Sequence, residues 1–155
     1  MSLIVQKYGG TSVGSVERIE AVADKIADFC EKGHEVVVAV SAMSGETNRL
    51  INLAQEVNDN PNRRELDVLL STGEQVSISL LCMALNKRDI QAKSYTGHQV
   101  RILTDNAFGK ARIKDIDSKK IFAEKLLIIK IKIVTKVSRN LFLSTSRRKN
   151  ILIIN

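Results

Sequence analysis

The chain has 155 residues, 44% of them apolar, 26% charged and only 4% aromatic, enough for one domain with an aliphatic core. A net charge of +7 suggests a nucleic-acid partner, but the charge sits at one end: residues 118–155 hold ten Lys or Arg against one acid, whereas residues 1–117 hold 14 bases and 16 acids. No basic leader with a long apolar stretch opens the chain, and no uninterrupted apolar run approaches the roughly 20 residues that span a bilayer, so a soluble cytoplasmic protein with no membrane partner is expected.

LIVQ (Leu3–Gln6) predicts a short strand. Ser15 is placed to cap a helix running to about Lys32, with Val16, Ile19, Val22, Ala23, Ile26 and Phe29 at helical spacing. Gly33 follows where a left-handed helix end is expected. EVVVAVSA (Glu35–Ala42) is too continuously apolar for a strand wet on one face and reads as a central strand of a parallel sheet. Strand, glycine-rich loop, helix and strand make a βαβ unit with a right-handed crossover.

A second helix is expected from near Glu46, and NDNPN around Pro61 marks a turn. RELDVLLSTGEQVSISLLCMALNKRD predicts either one long helix or two short ones broken at Ser71–Gly73. IQAKSY reads as a strand, TG as a turn, and QVRILT as a strand or edge segment. The order points to an α/β fold with a mostly parallel sheet. Composition changes near residue 118: all eight glycines and the single proline precede it, and the following segment lacks the residues that make returns in a parallel α/β domain. Within that segment IIKIKIV alternates and can form a strand. Cys30 and Cys82, 52 positions apart in apolar helical contexts, read as buried small hydrophobes, since no spacing supports a metal site.

Four stretches can carry chemistry. In KYGGTS, Lys7 ends the first strand, where ligands of α/β domains bind. Gly9 and Gly10 bare their amides, Thr11 and Ser12 add hydroxyls, and the helix starting near Ser15 presents its positive end. The combination suits a phosphate; it serves equally as a tight turn with a solvated lysine, and it is not a Walker loop, because the lysine precedes the glycines. VSAMSGETN (residues 40–48) opens on the same sheet edge with Ser41, Ser44, Gly45 and Thr47, either as a second polar loop or as a plain helix cap. STGEQ (residues 71–75) sets Glu74 in an apolar pattern, where a buried acid needs a partner such as an ammonium group. SYTGHQVRI (residues 94–102) carries His98 and Arg101, whose solvated roles outweigh catalytic ones.

The order and spacing of KYGGTSVGS, VSAMSGETNRL, ELDVLLSTGEQVS and SYTGHQVRILTD resemble the aspartokinases, the ATP-dependent aspartate kinases of the amino acid kinase family. The resemblance covers residues 1 to about 124. It implies a three-layer sandwich with a mostly parallel sheet between helices, followed in the family by small regulatory domains. It further implies transfer of the ATP γ-phosphoryl group to the side-chain carboxylate of L-aspartate, with Mg²⁺, as the first step toward lysine, threonine and methionine. By the same resemblance Lys7 is catalytic and, with Tyr8, Gly9, Gly10 and Ser41, holds the ATP phosphates. Thr47 and Glu74 bind aspartate, Glu74 through its amino group. No protein metal ligand and no nucleic acid are implied, and family members of full length are expected to be homo-oligomers. The reaction needs two anions brought in line and neutralised rather than a strong base.

After about Glu124 the resemblance stops. The family continues with a GFQG-type turn and a GRGGSD-type segment that completes the aspartate site, then a region forming the base pocket. None of these is found here. The expectation is therefore a shortened catalytic domain over residues 1–124 with weak or no activity, no regulatory domains, and a divergent, basic, out-of-frame tail over 125–155. A small basic nucleic-acid-binding protein and another carboxylate kinase of the same family are the alternative readings.

Overall fold

The computed structural model describes residues 2–116 and the backbone of the strand at 131–135. The chain runs β1 (Leu3–Tyr8), a 3₁₀ turn (Gly10–Val13), α1 (Val16–Glu31), β2 (Glu35–Val40), α2 (Glu46–Val57), α3 (Arg63–Asn86), β3 (Ala92–Tyr95), β4 (Ile102–Thr104), β5 (Ile113–Ile116) and β6 (Ile131–Thr135). A four-stranded sheet has the order β1-β2-β6-β3, and all its pairings are parallel. β4 and β5 form a separate antiparallel pair.

The βαβ unit forms as its pattern demands. The Ser15 hydroxyl accepts from the Arg18 N–H at 3.3 Å and caps α1, and Gly33 closes the helix at φ +77°, a conformation a Cβ disfavours. β2 is buried from Val36 to Val40, as expected of an inner strand of a parallel sheet. Its Val36, Val38 and Val40 join Ile19, Val22, Ala23, Ile26 and Cys30 of α1 and Ile78, Leu81, Cys82, Ala84 and Leu85 of α3 in one cluster. Both cysteines are buried and unpaired.

Of the two readings of residues 64–89, the single helix holds: α3 is continuous for 24 residues. The polar residues at its middle do not break it, because their hydroxyls turn back to the preceding turn. Ser71 donates to the Val68 carbonyl and Thr72 to the Leu69 carbonyl, both at 2.7 Å, which removes their competition with the helix. By length and composition α3 is apolar enough to cross a membrane, yet one of its faces packs into the core cluster. Arg88, at its C-terminal end, binds Glu20 and Asp24 of α1 at 2.5 and 2.8 Å.

β6 falls on the alternating IIKIKIV segment and lies between β2 and β3. The remainder of 125–155 lies outside the described residues.

Candidate active site

β1 and β2 run in register, with Lys7 opposite Ala39 and Tyr8 opposite Val40. Both strands therefore end at one edge, and the Ser41 N–H extends the pairing by donating to the Tyr8 carbonyl at 3.0 Å. This register brings Lys7, Tyr8, Gly9, Gly10 and Ser41 to the carboxyl edge of the sheet, the position where α/β folds bind ligands. Lys7 is exposed, and its ammonium lies 4.0 Å from where a Gly9 Cβ would stand, so the lysine folds over bare backbone. Burial pushes the Tyr8 phenol up; neutral, it donates to Gln6 Oε1 at 2.9 Å.

Gly10 explains the second glycine. A Cβ there would meet the Ala42 carbonyl oxygen at 2.8 Å, closer than side-chain carbons approach. The 3₁₀ turn is thus pressed onto the loop after β2, and Gly14 meets the Ser44 side chain in the same way at 3.2 Å. Arg18 donates to the Thr11 carbonyl at 2.7 Å and ties this turn to α1.

Across that loop stands Gly73 of α3. A Cβ on it would lie 3.0 Å from Ala42 Cβ and 3.3 Å from Glu46 Cγ. Glu74, the next residue of α3, is half-buried, and the loop leads on to Thr47, which is exposed in the first turn of α2. Gly45 precedes α2 at φ +81°, a turn that favours glycine. Glu46 accepts from Arg49 through both carboxylate oxygens at 2.9 and 2.7 Å, and the guanidinium holds its carboxyl below the usual range.

The structure gathers the Lys7 loop and Ser41 directly. Thr47 opens α2 just after the Ala42–Glu46 loop, and Glu74 follows Gly73, the residue that packs on that loop. His98 and Arg101 lie in the turn between β3 and β4, both exposed. Sequence reasoning missed Gly10, Gly14 and Gly73 as points of close approach. For Gly73 the signal available was a glycine in an otherwise apolar helical pattern, which marks packing as readily as a break. Among the described residues no group of three His, Cys, Asp or Glu stands together as a metal site.

The sequence profile of the amino acid kinase family matches residues 2–138. An aspartate kinase of Pseudomonas putida is 64% identical over 124 residues, which is 80% of this chain and 30% of that protein. Aspartokinase 2 of Bacillus subtilis is 53% identical over 134 residues, 86% of this chain and 33% of its own length. The chain thus spans about 30% of the length of the curated relatives it matches. Among solved structures, an aspartate kinase from Synechocystis superposes with a TM-score of 0.68 at 46% identity, covering 86% of this chain and 22% of that one. Aspartokinase III of Escherichia coli, solved with aspartate and ADP, has a TM-score of 0.68 at 22% identity over 84% of this chain and 40% of that one, and shows the fold alone.

Proposed function

The chain belongs to the amino acid kinase family, and on that premise we propose that it carries the phosphate-binding and part of the aspartate-binding machinery of an aspartate kinase, the enzyme that phosphorylates the side-chain carboxylate of L-aspartate. The observation that carries the proposal is the common edge made by the ends of β1 and β2, with Lys7 folded over Gly9 and Gly73 of α3 packed on the loop that leads into α2.

In this reading the Lys7 ammonium and the amides of Gly9 and Gly10 hold the ATP phosphates, with Tyr8 completing the loop and Ser41 beside it. The absence of side chains at the two glycines lets backbone approach phosphate oxygens. Thr47 holds the acceptor aspartate, and Glu74 takes its ammonium. The acceptor carboxylate is already ionised at neutral pH, so the residues position and neutralise rather than abstract a proton. Mg²⁺ brought in with ATP would add to the neutralisation of the phosphate charge.

Thermal shift of the purified chain tests the reading. Mg–ATP and aspartate should each raise the melting temperature by mass action, whereas glutamate, acetylglutamate and UMP should not. Lys7→Ala should remove the ATP response and Glu74→Gln the aspartate response. Equal shifts with all the acceptors, or responses indifferent to both substitutions, would contradict it.

A further inference from the structure

We propose that a cavity between the start of α3 and the β4–β5 turn binds a small organic phosphate, at a site separate from the Lys7 loop and independent of the aspartate kinase reading. The cavity has a volume of about 630 Å³ and is lined chiefly by Asn62, Arg63, Arg64, Asn106, Phe108 and Lys110. That volume lies within the range of small-molecule sites, roughly 300–1,000 Å³.

Its walls come from segments more than forty residues apart, and they are fastened together. The Gly109 N–H donates to Asp67 Oδ2 of α3 at 2.7 Å. Asp105 braces the turn from within, accepting from the N–H groups of Ala107 and Arg112 at 3.2 and 3.0 Å. Both nearby aspartates accept from backbone N–H groups, which fix their oxygens and leave their charge in place. Arg64 is paired with Glu65. Arg63 and Lys110 have no ion pair among the described residues, and no carboxylate lines the cavity.

Two cations lining one cavity without a direct ion pair are available to an anion there, and a guanidinium fork matches phosphate oxygens in pairs. Phosphate alone would leave most of the volume empty. Phe108 lines the same cavity and is 44% exposed, which gives an organic body a ring to lie on. Arg63 and Glu74 are eleven residues apart on α3, about 16 Å along its axis, so a ligand here does not occupy the proposed aspartate position.

The test is amide chemical-shift titration of the isotope-labelled full chain with pyrophosphate, ADP and adenosine. Pyrophosphate and ADP should shift the Arg63, Arg64, Asn106 and Lys110 amides in a saturable way, and adenosine should not. Arg63→Gln combined with Lys110→Gln, both exposed positions, should weaken binding about tenfold or more. Phe108→Ala should weaken ADP and leave pyrophosphate unchanged. The same shifts should persist in Lys7→Ala. The proposal fails if these amides show no saturable shift, if the double variant binds as well as the parent, or if ADP moves only the Lys7–Ser12 amides. Equal loss of both probes in Phe108→Ala would overturn the place given to the organic body.

Discussion

Gly73 and Ala42 touch with no room for another carbon: a Cβ on Gly73 would stand 3.0 Å from Ala42 Cβ. Gly10 meets the same residue at its carbonyl, at a would-be 2.8 Å. Ala42 is thereby held by the turn after Lys7 and by α3 at once.

Gly73→Ala separates packing from propensity. Helix propensity alone predicts a gain of about 0.8–1 kcal/mol. Overpacking against a backbone-anchored methyl costs about 1–3 kcal/mol. We expect a net loss of about 1 kcal/mol in urea unfolding, and a net gain would mean that α3 can shift away from the loop.

Gly45→Ala should also destabilise. Nothing crowds this position, yet its φ is +81°, and such a conformation costs a residue with a Cβ about 1–2 kcal/mol. Gly45→Asn should recover part of the loss, because Asn tolerates the left-handed region. If Ala and Asn are equally costly in denaturant unfolding, backbone strain is not the cause.

Arg88 predicts an acid-side stability slope. Its hydrogen bond, with a lesser contribution from Lys87, holds the Glu20 carboxyl below its usual range. A carboxylate lowered in the folded state contributes stability above its ordinary pKa, and the contribution is lost as pH falls through the lowered value. Melting temperature should therefore fall as pH drops through and below the usual carboxylate range. Arg88→Met should flatten that part of the profile, and an unchanged slope would remove the pair from the account.

Both thiols should be inert in the folded chain. Burial pushes Cys82 up to about 11 and Cys30 upward as well, so little thiolate exists near neutral pH. Alkylation by iodoacetamide should be slow until denaturant is added and then modify both. Rapid labelling of either in native buffer would contradict the packing of α1 against α3.

Much of this architecture was legible because local chemistry and tertiary structure agree. Ser15 caps α1, Gly33 ends it, and the valines of β2 lie inside a parallel sheet. Ser71–Gly73 left two readings, because hydroxyls that bond back within a helix and a glycine that admits a neighbour look on paper like a break. β5 was not foreseen, since four residues of mixed polarity carry a weak period. Nor does periodicity specify pairing order, so β6 could be read as a strand without its place between β2 and β3. At the site, Lys7 and its glycines could be read either as a loop suited to phosphate or as a plain tight turn. The contacts of Gly10 and Gly14 depend on residues about thirty positions away and have no local signature, and the glycine in the apolar pattern of α3 marks a break as readily as a packing point.

The most direct test of the central claim is a hydroxamate assay on a chimera in which residues 1–124 of this chain replace the matching segment of the Pseudomonas putida aspartate kinase. The account predicts hydroxamate formation dependent on ATP and aspartate. Lys7→Ala should lower kcat about a hundredfold or more, and Glu74→Gln should raise the KM for aspartate and leave that for ATP unchanged. A chimera that folds but is inert toward aspartate, or one whose turnover ignores Lys7 and Glu74, would contradict it.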